Sequence, residues 1–484
     1  MSPPRREARP RHPGGQSGPP RGRVSPARPP QTDPARAAAL ELLTAVRQRD
    51  AYANLALPEI LRRRRLHGRD AGLATELAYG TSRARGLLDA VIAACTDRPL
   101  SKVEASLLDA LRLGAYQLLR MRVPAHAAVD TTVELVRADA GSRSAGFVNA
   151  ILRKVAERDE AAWVAELAPD AATDPIGHAA FKHAHPRWIA QSFADALRVK
   201  PEALPAELDA ALAADDARPA VHLLARPGEI TAEELALATG GTQAPYSPYG
   251  VHLDAGAGDP GELDAVRDKL AVVQDEGSQL VTVALANAEL NGGDGGRWLD
   301  LCAGPGGKSV LLGALATGLN GTVDAVEVSE QRAGMVAGAV EGLPVRVHVT
   351  DGRDAPLPEA VFDRVLVDAP CTGLGALRRR PEARWRREPS DVAGLAKLQR
   401  ELLTAGLRHV RPGGVVGYAT CSPHLAETLG VVTAVLRKRD DVELVDARPY
   451  LPGVPDLGDG PTVQLWPHRH GTDAMFLALL RRTK

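Results

Sequence analysis

Leu299-Asp300-Leu301-Cys302-Ala303-Gly304-Pro305-Gly306-Gly307-Lys308 is an apolar strand running into a glycine turn, with helical spacing after it. Glycines let a backbone approach a ligand closely and offer it N–H groups. The turn is neither GxGxxG nor a P-loop, so its spacing alone names no ligand. The chain around it alternates. Strands are predicted at 297–302, 322–328, 345–349, 362–368 and 414–420, and helices at 307–316, 329–340, 391–409 and 424–438. Met475 to Leu480 reads as a closing strand. Such alternation predicts a largely parallel α/β sheet covered on both faces.

The predicted second strand ends in Glu327, the third near Asp351 and the fourth in Asp368. Open parallel sheets bind ligands beyond the carboxyl ends of their strands. Glu327 is placed for ribose hydroxyls, and Asp351 for an adenine amino group. Each acid alone is a helix cap or a solvated turn as readily as a ligand; three in succession favour an adenosine-containing cofactor.

The chain has four cysteines in 484 residues. That is no disulfide framework, and no CxxC spacing suggests zinc. Cys95 and Cys302 read as small buried apolar residues. Cys371 closes Val365-Leu366-Val367-Asp368-Ala369-Pro370-Cys371, and Cys421 follows the strand Val415 to Thr420. Taken singly, each is a core thiol or a nucleophile with equal ease. Their places beside acids and the glycine turn move both toward chemistry.

Upstream, Asp33-Pro34 reads as a helix start, and helical spacing continues to about residue 157 with breaks at Gly68 and Pro124. Helices are expected at 35–48, 53–65, 70–96, 102–121, 125–138 and 143–157. Residues 158–217 read as a linker with connecting helices, the periodicity being weak to 185. Residues 218–273 read as a small α+β module, and 274–484 as the α/β domain. Residues 1–34 carry seven Arg against Glu7 and Asp33, with almost no large apolar side chain, and should be a disordered basic tail. That tail serves equally as an RNA-attracting arm or as a solvating segment.

Net charge is −1, so nucleic acid would need locally concentrated cations. A second concentration lies at 378–387, six Arg against Glu382. A solvated face is the competing reading of that run. No apolar stretch is long enough to span a membrane, and no export signal follows Arg5-Arg6; a cytoplasmic protein with free thiols is expected.

Several segments together resemble the bacterial ribosomal small-subunit methyltransferase B family (Sun/Fmu), among the RNA cytosine-C5 methyltransferases. They are Gln274 to Gln279, Leu299 to Lys308, Asp368-Ala369-Pro370-Cys371, Arg379-Arg380-Pro381 with Trp385, Tyr418 to Ser422 with Glu427, and His470 to Asp473. Glu76 to Thr81 and Gly146 to Arg153 resemble that family's NusB-type helical domain. The resemblance covers nearly all of 35–484. It implies a multidomain chain: an all-α NusB-like domain at 35–157, a small α+β RNA-contacting subdomain, and a Rossmann-like, seven-stranded class I methyltransferase sheet.

The resemblance further implies S-adenosylmethionine as cofactor, held by Cys302, Ala303, Gly304, Pro305, Gly306, Gly307, Lys308, Glu327, Asp351 and Asp368. It matches Cys421 to the nucleophile and Cys371 to the cysteine that assists product release. A thiolate adding to C6 of a pyrimidine would make C5 able to attack a methylsulfonium. Asp368 is positioned to protonate the ring nitrogen. The implied substrate is a cytosine of 16S rRNA, unpaired or flipped out, and the implied state is a metal-free monomer. The Arg run would contact phosphates, with Trp385 packing or stacking. A tRNA substrate and a noncatalytic RNA-binding assembly factor are the alternatives. Three positions depart from the family pattern: Glu327 for the more usual Asp, Gly304 for a common Ala, and Thr428 where Asn often follows the acid.

Overall fold

The computed structural model describes residues 32–49, 51–254 and 258–484. The expected basic tail lies outside the described residues except for its last three.

The first five helices are α1 (Pro34–Arg49), α2 (Ala53–Arg63), α3 (Gly68–Ala94), α4 (Ala105–Arg120) and α5 (Ala125–Val155). Asp33 opens α1 by accepting from the Arg36 N–H at 2.8 Å. Leu42, Leu77, Leu88, Ile92, Leu111 and Leu152 fill one shared core. The two helices expected at 125–138 and 143–157 form one kinked element, bent at Gly141 with φ 81°.

The weakly periodic stretch to 185 is helical rather than a linker. It forms α6 (Glu160–Leu167) and α7 (Pro175–Lys182), followed by α8 (Arg187–Leu197) and α9 (Leu204–Asp216). Each of the first two has eight residues, too few turns to show a strong period. Caps and single large side chains carry them instead. Asp159 accepts from Ala162 N and Asp174 from Gly177 N, and Trp163 is buried in the first core. Phe193 and Leu212 of α8 and α9 pack with Leu374, Leu377 and Trp466 of the C-terminal half.

A small antiparallel sheet follows, in order β2 (Thr242–Gln243), β3 (Gly250–Leu253), β1 (Val221–Ala225), β4 (Ala271–Val273). Helix α10 (Ala232–Thr239), started by a capping box of Thr231 and Glu234, covers one face, with α11 (Asp264–Arg267) beside it.

The C-terminal strands are β5 (Arg297–Asp300), β6 (Thr322–Glu327), β7 (Val345–Val349), β8 (Phe362–Asp368), β9 (Val410–Thr420), β10 (Val442–Val445), β11 (Val463–Gln464) and β12 (Phe476–Arg482). Their order is β10-β12-β9-β8-β5-β6-β7, with β11 paired to β12. Strands β5 to β9 pair in parallel, and β12 runs antiparallel to β9 and β10. Val365 and Val367 enter the core beneath α15 (Asp391–His409) and α16 (Leu429–Leu436), while Leu366 points to the other core, with α12 (Glu276–Asn287). Two further helices, α13 (Gly307–Thr317) and α14 (Glu330–Ala339), follow β5 and β6, and α17 (Pro467–His470) precedes β12. The chain leaves β5 outward through β6 and β7, then returns to β8 on the other side of β5. That reversal opens a crevice beyond the ends of β5 and β8.

Candidate active site

The glycine turn lies at this crevice. Asp300, the last residue of β5, is buried; its Oδ2 accepts from Ser309 Oγ at 2.6 Å and its Oδ1 from Cys302 N at 3.3 Å. Burial pushes the Asp300 carboxyl up to about 6, and the Asp368 charge adds to this. Gly306 caps α13 at φ 115°, a conformation that other residues strain to adopt. Gly304 N donates to Glu327 Oε2 at 3.2 Å. A Cβ at Gly304 would stand 2.2 Å from that oxygen. Glu327 Oε1 accepts from Ser329 N at 2.8 Å and Arg332 Nη2 at 2.6 Å. The adjacent Val328 and, on β7, Val349 are exposed at 60% and 57%. Asp351 is chelated by the Arg353 guanidinium, which holds its carboxyl below the usual range.

Lys308, on the first turn of α13, donates from Nζ to Asp368 Oδ2 at 2.6 Å. Burial alone would lower Lys308, but the Asp368 charge and hydrogen bond outweigh it and the pKa is raised. The glycine turn is thereby bonded to the end of β8, three residues before Cys371.

Strands β8 and β9 are neighbours, with Asp368 beside Ala419, so their two following loops emerge together. Cys371 Sγ and Cys421 Sγ lie 3.5 Å apart. A hydrogen bond from the Cys371 thiol lowers Cys421 against the effect of burial, with Arg380 and Lys308 assisting. The same hydrogen bond and burial push Cys371 well up. The pair is therefore polarised, with the negative charge favoured at 421 over 371. Cys302 is pushed well above the ordinary thiol range, first by burial and then by Asp300, Asp368 and Glu327.

A buried carboxylate fixes both loops. Glu427 accepts from Thr372 N at 2.8 Å, the Thr372 hydroxyl, Ser422 Oγ at 2.7 Å and Gln399 Nε2 at 3.1 Å. Gly375 N also donates to Cys421 O at 2.9 Å.

The arginine run corrects the expectation of a phosphate-binding or solvated surface. Arg378 and Arg379 face inward to Asp275 and Asp473. Arg384 is fully buried, 0% exposed, and donates to Asp215 Oδ2 at 3.0 Å, Asp216 Oδ1 at 3.2 Å and the carbonyls of Arg83 and Ala184, each at 3.2 Å. Trp385 packs against α3: a Cβ on Gly86 would meet its ring at 2.2 Å. Arg386 donates to the carbonyls of Val46 and Ala51, and Arg387 Nε to Thr372 O at 3.2 Å. Acids distant in sequence, at 215, 216, 275 and 473, neutralise Arg378, Arg379 and Arg384, which is why composition misread the run. Arg380 is the exception: it is exposed, and it makes no side-chain hydrogen bond or ion pair among the described residues.

The crevice thus gathers Cys302 to Lys308, Glu327, Asp368, Cys371 and Cys421, with Asp351 at its β7 side. Sequence reasoning assigned no role to Glu427, Thr372, Ser422 or Gln274. Both amide atoms of Gln274 are buried without a partner among the described residues, and its side chain would lie 3.5 Å from a Cβ on Gly307. A hydroxyl residue directly after each strand-end cysteine, Thr372 and Ser422, with a Glu five residues beyond Ser422, was the available signal.

Residues 287–481 match the family described as 16S rRNA methyltransferase RsmB/F, and 33–157 match the NusB family. A protein from Mycobacterium tuberculosis (strain ATCC 25618 / H37Rv), named only as a methyltransferase, is 63% identical over 93% of this chain and 97% of its own. The ribosomal RNA small subunit methyltransferase B of Serratia proteamaculans (strain 568) is 32% identical over 85% of this chain and 90% of its own. The chain belongs to the ribosomal RNA small subunit methyltransferase B family. It carries that family's helical NusB domain ahead of a methyltransferase sheet. The crystal structure of PH0851 shares the fold, with a TM-score of 0.75 at 22% identity over 93% of this chain and 99% of that one. Among the described residues no helix is long and apolar enough to cross a membrane.

Proposed function

We propose that this protein methylates C5 of an unpaired cytosine in 16S rRNA, using S-adenosylmethionine and a transient bond from Cys421 to the base. The carrying observation is the polarised sulfur pair, 3.5 Å apart, at the ends of adjacent strands beside the glycine turn.

The residues fit the cofactor. Gly304 leaves room where a Cβ would collide with Glu327, and the unpartnered Gln274 amide lies beside Gly307. The backbone from Cys302 to Lys308 would hold the cofactor, Glu327 its ribose and Asp351 its adenine amino group, with Val328 and Val349 as apolar walls. When bound, S-adenosylmethionine supplies a methyl group on a sulfonium to the base's C5.

Cys421 thiolate forms a bond to C6, and the C5–C6 double-bond electrons move toward C5 and N3. Asp368 in its protonated form would deliver a proton at N3, and the carboxylate left behind is balanced by Lys308. Once the Cys421 charge is consumed in the bond to C6, Cys371 can lose its own proton to solvent; as thiolate it takes the C5 proton after methylation, the double bond re-forms, Cys421 leaves as thiolate and N3 returns its proton to Asp368. Arg380 supports the negative sulfur. The base must be out of its stack, because C6 is unreachable inside a duplex. The NusB-family domain favours ribosomal RNA over tRNA, the reaction being cytoplasmic and carried out by a monomer.

Methyl-labelled S-adenosylmethionine and unmodified 16S rRNA test this directly. Wild type should label one cytosine, located by bisulfite sequencing. Cys421→Ala should transfer nothing while binding cofactor normally in calorimetry, and Cys371→Ala should accumulate a denaturation-resistant protein–RNA adduct. Turnover by Cys421→Ala would mean that the wrong sulfur was assigned. Absence of transfer by wild type would favour the noncatalytic RNA-binding reading.

A further inference from the structure

Helix α15 has two working faces. Its inner face supports the Cys371 loop through Gln399 Nε2, which donates to Pro370 O at 2.9 Å. Its outer face presents Lys397, Arg400, Thr404 and Arg408, at steps of three and four residues, along one stripe. This stripe lines an open groove of about 700 Å³, closed on its other sides by Arg353 and by Lys438 and Arg439 after α16.

The groove concentrates charge. It is lined by six cationic side chains against Asp354 and Glu401, in a chain whose net charge is −1. Three cations are already paired: Arg353 to Asp351 and Glu401, Arg408 to Glu359, Arg439 to Asp441. Lys397, Arg400 and Lys438 have no acidic partner or side-chain hydrogen bond among the described residues. From residue 397 to 408 the helix advances about 16 Å. That spans several phosphates at about 3.4 Å of axial rise per nucleotide. An open, elongated, cationic trough suits a phosphate backbone, because such contacts position a nucleic acid without reading bases.

We infer that this groove is a second rRNA contact, in which Lys397, Arg400 and Lys438 grip backbone phosphates of the strand flanking the target. The inference rests on the proposed RNA substrate and extends it to a face outside the crevice. The groove would hold the flanking strand while the opposite face of α15 sets the Cys371 loop.

The test compares wild type with the triple variant Lys397→Ala/Arg400→Ala/Lys438→Ala. Binding of a 16S rRNA fragment is measured at several salt concentrations, alongside transfer kinetics and cofactor binding. The slope of log affinity against log salt should become shallower by about 2 to 3, since each lost contact removes about 0.7 to 0.9. KM for RNA should rise roughly tenfold or more, with kcat at saturating RNA and cofactor affinity unchanged. Lys397→Arg/Lys438→Arg, which keeps the charge, should behave as wild type. An unchanged salt slope and KM in the triple variant would overturn the inference while leaving the methylation reading intact. Absence of transfer by wild type would sink that reading, yet the salt slope would still judge the groove.

Discussion

Gly304 and Glu327 are complementary in a way that one double replacement can expose. A Cβ at position 304 would stand 2.2 Å from Glu327 Oε2 and 3.0 Å from its Cδ, with Arg332 Cβ behind at 3.3 Å. The carboxylate cannot simply swing aside, because Ser329 N and Arg332 hold its other oxygen. Gly304→Ala therefore forces a backbone or side-chain shift of about 1 Å, at a typical overpacking cost of about 1–3 kcal/mol. Expressed at the cofactor site, that weakens binding roughly tenfold to a hundredfold. Glu327→Asp withdraws the carboxylate by one carbon–carbon bond, about 1.5 Å, and alone should cost only a few-fold through the lost bond to Gly304 N. Combining the two removes the collision. Cofactor affinity of the double variant should return to within about threefold of wild type, a favourable coupling of about 1.5–3 kcal/mol. Calorimetric titration of S-adenosylmethionine into the four proteins measures this, with urea unfolding to confirm that each is folded. A double variant as weak as the product of the two singles would refute the steric reasoning.

Asp300 should give stability a pH signature. Its carboxyl is raised from 3.8 to about 6 by burial, so between those values the folded protein keeps a proton that the unfolded chain has lost. The group therefore opposes folding progressively as pH rises from about 4 to 6, by about 3 kcal/mol in full. Urea unfolding should show Asp300→Asn gaining on wild type by that order across the window; parallel pH curves for the two proteins would contradict the buried carboxyl. Glu427→Ala leaves Thr372 N, two hydroxyls and the Gln399 amide without their acceptor, and should cost about 3–4 kcal/mol, whereas Glu427→Gln keeps a carbonyl and should cost about half. Equal urea midpoints for the two variants would show that the acceptor does not fix these loops.

Local patterns were legible where the physics is local. The parallel strands Thr322–Glu327, Val345–Val349 and Phe362–Asp368 lie where apolar runs and terminal acids put them. The sulfurs meet because their strands pair, which the alternation of strand and helix already implied. The edge strand Val442–Val445 is short and half-exposed, and Val463–Gln464 has two residues, so neither carries a period. The helices at 160–167 and 175–182 were hidden because alanines, caps and a single Trp hold them rather than a stripe of large side chains. Six arginines within ten residues look like a surface until acids from elsewhere in the chain meet three of them, Arg378, Arg379 and Arg384. Glu427 was visible as a residue but not as a clamp, since its partners come from two other segments.

Arg384 makes the two halves of the molecule hard to trade. Its socket is built jointly by α3, the turn before α8, and the end of α9, and it leads back along the chain to Thr372 and Cys371. A catalytic half produced alone would turn that guanidinium out into water and leave its reactive loop without an anchor. A helical half borrowed from a relative would have to bring matching acids and free carbonyls to the same spot. Shuffling such domains between family members should therefore succeed only when the Arg384 segment and its socket travel as a unit.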